Sequence, residues 1–142
     1  MLLFLDANVL FSAAYLDKSK PLALFRLAQG DWCELITSPY AIEEARRNLA
    51  RKRVARLPEL ERLVCALTVC SEPARDNIEW GLSLGLNLKD APILGAAVQV
   101  GAQVLMTGDK SDFGDLDGRR LRGVEILTPA AALDRILKGA GV

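Results

Sequence analysis

Histidine is absent from this chain of 142 residues. Its absence excludes Ser–His and Cys–His nucleophilic catalysis, histidine general bases and imidazole metal ligands. Cysteine is scarce: the three cysteines form no even disulfide framework and no zinc-ligand spacing, which is typical of a protein from a reducing compartment. Any chemistry must therefore depend on carboxylates, hydroxyl groups, lysine or a bound ion.

The chain also lacks net charge and a long apolar run. Its 18 basic and 18 acidic residues cancel, which argues against a protein that holds nucleic acid by bulk positive charge alone. No apolar stretch reaches the length of a membrane span, and the first residues lack the basic segment of a signal peptide. We therefore expect a cytoplasmic protein without a membrane partner.

What the chain does contain is a regular alternation of short apolar runs and helix-like segments. Strands are predicted over 2–5, 33–37, 103–107 and 124–127. Helices are predicted over 21–29, 39–53, 58–69, 75–84, 91–100 and 129–138. This alternation predicts an α/β fold, a three-layer sandwich whose central, mainly parallel sheet of four to five strands is flanked by helices. The length fits a single domain over residues 1–142.

Four acidic residues are expected at one edge of that sheet. Asp6 ends the first strand, Asp109 lies in the turn after the third, and Asp90 directly precedes a helix. Glu44 lies about 9 Å along its helix from Ser38, and helical side chains lean back towards the N-terminus. Because ligands of parallel sheets bind outside the carboxyl ends of the strands, we expect these carboxylates to converge.

Each acid also has an ordinary interpretation when it is taken alone. Asp6 could start a turn, Asp90 could be only an N-cap, and Asp109 could belong to a surface loop. Glu44 could be a solvated residue of a charged helix. Two carboxylates about 4 Å apart repel by about 4 kcal/mol at an effective dielectric of about 20, so acids that do converge need protons or a cation. Carboxylate oxygens without histidine or clustered cysteine favour Mg²⁺ or Mn²⁺.

Four stretches of the sequence together resemble the PIN domain, a small α/β fold of metal-dependent ribonucleases. LFLDANVLFSA resembles the first strand and acid of that family, and SPYAIEEARRNL resembles its second motif. KDAPILGAAVQVGAQVLMTGDKSDF resembles the third and fourth motifs, and VEILTPAAAL the closing strand and helix. In this order they span nearly the whole chain, and the likeness is weakest between residues 53 and 88.

The resemblance implies a set of site residues. The catalytic acids would be Asp6, Glu44, Asp90 and Asp109. The metal ligands would be Asp6, Asp90, Asp109 and Asp112. Two polar residues would support the metal shell, Asn8 and Thr107. A basic stretch of the second motif would contact the phosphates of a substrate, through Arg46, Arg47, Arg51 and Lys52, although a solvated helix face explains it equally well.

Two positions stay open at this point. Glu43 is a rival to Glu44, which lies slightly nearer to the apolar stripe of the helix and fits the motif better. Lys89, directly before Asp90, departs from the family pattern. A cation at that position would either weaken metal binding or contact a phosphate.

The resemblance implies hydrolysis of phosphodiester bonds of RNA with Mg²⁺ or Mn²⁺ as cofactor. It also implies a homodimer, and it admits the toxin of a toxin–antitoxin pair, with a cognate antitoxin as its partner. The alternatives are a PIN-like protein of RNA processing and a non-catalytic RNA-binding module. A phospho-accepting receiver domain fits poorly, because Ser38 and Pro39, rather than an acceptor aspartate, follow the second strand.

Overall fold

The computed structural model describes residues 1–108, 113–116 and 118–139. In these ranges six strands form one sheet in the order β3-β2-β1-β4-β6-β5. All neighbouring strands are parallel except β5 and β6, which form an antiparallel pair. The strands are β1 Leu2–Leu5, β2 Glu34–Thr37, β3 Thr68–Val69, β4 Val104–Met106, β5 Arg120–Leu121 and β6 Val124–Leu127.

Seven α-helices connect or follow these strands within the described ranges. They are α1 Ala7–Tyr15, α2 Lys20–Gln29, α3 Pro39–Lys52, α4 Leu57–Cys65, α5 Arg75–Ser83, α6 Ala91–Gln99 and α7 Pro129–Gly139. The chain runs outwards from β1 to β3 and then returns to β4 on the other side of β1. Because crossover connections are right-handed, this reversal places helices on both faces of the sheet and creates a switch point between β1 and β4.

The predicted α/β architecture is confirmed, and the sheet is wider than expected. All four predicted strands are present, and the two added strands, β3 and β5, have two residues each and lie at the edges. The helix predicted over 58–69 ends at Cys65, because Thr68 and Val69 pair with β2 instead. Helix α1 was missed: its sequence, ANVLFSAAY, is apolar on nearly all sides and has no helical stripe to detect.

Burial on both faces explains why the central strands are continuous apolar runs in the sequence. Leu3, Phe4 and Leu5 are fully buried, and β4 beside them is buried along its whole length. A strand covered by helices on both faces has no solvent-facing positions for polar residues. No helix in the described part of the chain is long and apolar enough to cross a membrane.

Helices α5 and α6 pack unusually close together through two glycines. A Cβ atom at Gly95 would lie 3.0 Å from the carbonyl oxygen of Asn77, and one at Gly81 would lie 3.0 Å from that of Ala91. Both neighbours are backbone atoms, which cannot move without the helix. The close approach fixes the start of α6, where Asp90 lies.

An ion-pair network joins the far edge of the sheet to α7. Both carboxylate oxygens of Glu125 accept bonds from Arg135, at 2.9 and 2.8 Å, and Arg120 lies directly opposite on β5. The hydrogen bonds from Arg135, reinforced by Arg120, lower the pKa of Glu125 from 4.5 to about 2. In the folded protein Glu125 therefore stays ionised at pH values well below the usual pKa of a glutamate.

Candidate functional site

The structure places Asp6 directly between β1 and α1. Its backbone N–H donates to the carbonyl oxygen of Met106 on β4 (3.0 Å), and its Oδ1 accepts from the N–H of Ala7 (2.6 Å). The residue is 4% exposed. The positive end of the α1 dipole lowers the cost of burying this carboxylate, so the ordinary cap role and a functional role are compatible.

Asn8 joins the start of α1 to the turn that follows β4. Its Nδ2 donates to Oγ1 of Thr107 (3.2 Å), and its Oδ1 accepts from the N–H of Gly108 (2.8 Å). Thr107 is fully buried, and its own N–H donates to the carbonyl oxygen of Leu127 (3.0 Å). These contacts link the ends of β1, β4 and β6. Asp109 and Asp112, which were predicted to continue the site from this turn, lie outside the described residues.

Asp90 occupies the N-cap position of α6, as predicted, but without the side-chain hydrogen bond of a capping aspartate. Its backbone is helical (φ −92°, ψ −28°), and its side chain makes no capping hydrogen bond. Asn87 organises the turn instead: its Oδ1 accepts from the N–H groups of Lys89 (2.9 Å) and Asp90 (2.8 Å). Asp90 is 3% exposed, so its carboxylate is buried.

Glu44 and Glu43 have different environments on α3. Ser38 caps this helix by accepting from the N–H of Ala41 (3.2 Å). Glu44 is 9% exposed, and the ammonium of Lys89, the residue before Asp90, lies 2.8 Å from its Oε1. Glu43 is exposed and pairs with Arg46 at 2.9 Å. The placement favours Glu44 as the acid of this helix.

Three further polar residues at this edge were missed by the sequence analysis. Thr37, which is fully buried at the end of β2, donates its hydroxyl to the carbonyl oxygen of Leu5 (2.8 Å). Glu72, three residues after β3, accepts from the N–H of Tyr40 at the start of α3 (3.0 Å). Asn87 is the third. Thr37 could have been found from the sequence, because it is a hydrogen-bonding residue at the end of a predicted strand. Glu72 could not, because it follows β3, which the sequence did not predict.

The basic stretch after Glu44 is divided between structural and exposed positions. Arg46 is held by both oxygens of Glu61 (2.8 and 3.1 Å) and by Glu43, which raises its pKa. Lys52 lies over the ring of Phe11, 5.4 Å from its centre. Arg47 is exposed, and with Arg51 it lines a shallow surface groove that begins at Glu44. Arg47 and Arg51 therefore fit a phosphate contact better than the other two predicted residues.

Two other arginines of the same stretch support the end of α1. Arg53 donates to the carbonyl oxygen of Tyr15 (2.6 Å), and Arg56 donates to that of Ala14 (2.7 Å). The last carbonyl groups of a helix have no partners within it, so these guanidinium groups complete its hydrogen bonding. This part of the basic stretch holds the fold together.

Asp6, Glu44 and Asp90 are the three predicted acids that lie within the described residues, and all three are buried. Each comes from a different segment and each lies near the first turns of a helix. Over residues 1–108, 113–116 and 118–139, no three histidine, cysteine, aspartate or glutamate side chains are grouped closely enough to hold a metal ion by themselves. The carboxylate oxygens of these acids are chemically suited to hard cations and to proton transfer.

The fold defines a class of protein, an α/β protein whose mainly parallel sheet reverses its strand order between β1 and β4. The sequence matches the family model of the PIN domain over residues 3–111, and the chain belongs to the PIN domain family. Among curated proteins none matches the chain significantly.

Solved structures share this fold. PAE2754 from Pyrobaculum aerophilum is 19% identical with a TM-score of 0.69, over 97% of this chain and 96% of that one. VapBC2 from Rickettsia felis, solved with a DNA fragment from its promoter, is 15% identical with a TM-score of 0.65, over 89% and 97%. VapC20 from Mycobacterium tuberculosis, a toxin that cleaves the sarcin–ricin loop, is 15% identical with a TM-score of 0.56, over 79% and 95%. At these identities the likeness shows a common fold.

Proposed function

We propose that this PIN domain protein is a metal-dependent endoribonuclease that hydrolyses phosphodiester bonds of RNA at the carboxyl edge of its sheet. The observation that carries the proposal is the burial of three carboxylates from three segments, Asp6 at 4%, Asp90 at 3% and Glu44 at 9% exposure. Burying a carboxylate is costly, and a fold that needed only packing would place apolar residues there. Membership of the PIN family supports the same activity.

The chemistry of these residues fits a hard divalent cation. The donors are oxygen atoms only, which suits Mg²⁺ or Mn²⁺ and disfavours zinc. Since the described residues provide no complete three-acid group, Asp109 and Asp112 would have to complete the site with Asp6 and Asp90. A divalent ion bound there would lower the pKa of a water molecule and neutralise charge on the phosphate.

The chain's own residues would then perform three tasks. In a chain without histidine, a carboxylate can accept the proton of the attacking water; Glu44 is our candidate, and it could instead hold a second ion. Asn8 and Thr107 fix the turn after β4 relative to Asp6, as their hydrogen bonds indicate. Arg47 and Arg51 would hold the phosphates of the RNA without reading its sequence.

The comparisons also support a biological setting for this activity. One of the solved structures with this fold, VapC20, is a toxin that cleaves the sarcin–ricin loop, and another is VapBC2 bound to a fragment of its promoter DNA. We therefore propose that the chain is a single-domain, cytoplasmic toxin that acts as a homodimer with RNA as substrate and a cognate antitoxin as protein partner. A role in RNA processing would use the same site, and a short antitoxin reading frame beside the gene would distinguish the toxin.

Cleavage of labelled single-stranded RNA tests the activity. Wild-type protein should cut the RNA with Mg²⁺ or Mn²⁺ and stop when a chelator is added. Asp6→Asn should remove cleavage, whereas the control Asp31→Asn should not. Asp31 is an exposed acid that precedes β2, at the opposite edge of the sheet. Its backbone is left-handed (φ 63°), a conformation that asparagine also accepts. Equal cleavage in chelator, or full activity of Asp6→Asn, would contradict the proposal.

A further inference from the structure

The ion pair between Lys89 and Glu44 is the feature of this edge that the proposed chemistry does not use. Nζ of Lys89 lies 2.8 Å from Oε1 of Glu44. The Glu44 side chain is 11% exposed, whereas that of Lys89 is 59% exposed. The pair therefore combines a nearly buried carboxylate with a lysine that approaches it from solvent.

The position of Lys89 is fixed by its backbone. The side chain of Asn87 accepts from the N–H groups of Lys89 and Asp90, and the carbonyl oxygen of Asn87 accepts from the N–H of Ala91 (3.0 Å). These three bonds hold the turn that leads into α6. The lysine is thus anchored beside Asp90, while its flexible side chain reaches across to α3.

A lysine in this position competes with a metal ion. Its ammonium carries a positive charge and binds a carboxylate oxygen of Glu44, the acid that would hold a second divalent cation or take up a proton in the proposed site. Formation of the pair offsets the negative charge of the Glu44 carboxylate with the positive charge of Lys89. Both effects weaken the attraction of this edge for a cation.

We propose that Lys89 is a built-in counter-cation that occupies Glu44 and lowers the affinity of the site for divalent ions. Glu44 becomes available to an ion, or to water, only when Lys89 moves away, which its exposed and flexible side chain allows. The sequence alone left open whether this cation weakens metal binding or contacts a phosphate; the 2.8 Å contact with Glu44 favours the first. This inference rests on the proposed metal site.

Binding of Mn²⁺ without RNA, measured by titration calorimetry, tests the inference. Lys89→Met keeps most of the aliphatic side chain but removes the charge, and it should bind Mn²⁺ about tenfold more tightly than wild type. Lys89→Arg keeps the cation and should bind like wild type. Lys138→Met is the matched control: it removes the exposed partner of Asp134 on α7 and should leave the affinity unchanged.

A double variant shows whether Lys89 acts through Glu44. If it does, Lys89→Met should tighten Mn²⁺ binding in the wild-type background and have no effect in the Glu44→Gln background. Loss of Mn²⁺ binding in Asp90→Asn would show that the metal site exists. If Lys89→Met then binds Mn²⁺ no more tightly than wild type, the inference is overturned and the proposed metal site stands. If neither wild type nor Lys89→Met binds Mn²⁺, both the inference and the proposed metal site fail.

Discussion

Asn8 offers the sharpest test of how the site is held together, because one side chain joins two of its segments. Replacing Asn8 with alanine removes the bond to Thr107 (3.2 Å) and the bond from the N–H of Gly108 (2.8 Å). Asn8 is half-buried, and alanine keeps its Cβ while removing the polar amide. The variant therefore isolates the connection between α1 and the turn after β4.

The magnitude follows from the two bonds. Each is worth about 0.5–1.5 kcal/mol net, and the N–H of Gly108, on an exposed residue, can bond to water instead. Alanine returns at most about 0.5 kcal/mol through its higher helix propensity. We therefore expect Asn8→Ala to lower the free energy of unfolding by about 1–2 kcal/mol.

The effect on cleavage should be larger than the effect on stability. A displacement of about 1 Å in a catalytic group can cost about 100-fold in rate, so RNA cleavage should fall by about 10- to 100-fold. Urea unfolding gives the stability and a labelled RNA gives the rate. Asn77→Ala is the control and should keep its activity. It removes one exposed hydrogen bond to Gln99, at the end of α6 that lies away from Asp90. An Asn8→Ala protein that is less stable but cleaves at the wild-type rate would refute the positioning role.

Two predictions concern the scaffold. Glu125→Gln should lower stability by about 1–2 kcal/mol at pH 7, a value discounted because both arginine partners are partly exposed. The lowered pKa means that this stabilisation is complete above about pH 4.5 and is lost as the pH falls towards about 2. In urea unfolding at both ends of this range, the free energies of unfolding of wild type and variant should converge in acid. A difference that stays constant with pH would contradict the role of this network. Gly95→Ala should lower the free energy of unfolding by about 1–3 kcal/mol despite a gain of about 1 kcal/mol in helix propensity. The reason is that the new Cβ meets backbone atoms of Asn77. A melting temperature at or above that of wild type would show instead that α5 can move aside.

The sequence predicted four of the six strands because each of these four has a local pattern. A fully buried parallel strand must be a continuous apolar run, so β1, β2, β4 and β6 could be read directly. Asp6 could be placed because it ends such a run. The missed elements lacked a local pattern: α1 has no polar face, and β3 is two exposed residues that pair with β2.

The partners of the acids could not be predicted, because they come from distant parts of the chain. Glu44 and Lys89 lie 45 residues apart in sequence, and only the folded chain brings them to 2.8 Å. The true organiser of the turn before α6 is Asn87, three residues earlier than the predicted cap. Both asparagine and aspartate favour such positions, so the sequence offered no basis to choose between Asn87 and Asp90.

The most direct test of the account is RNA cleavage by Asp90→Asn with Mn²⁺ present. Asp76→Asn is the matched control, because Asp76 is also an acid at the start of a helix but is exposed on α5. The account predicts that Asp90→Asn loses more than about 100-fold of the cleavage rate while its thermal stability is retained, and that Asp76→Asn cleaves like wild type. Full activity of Asp90→Asn in the same assay would contradict the claim that these buried carboxylates form the site of a nuclease.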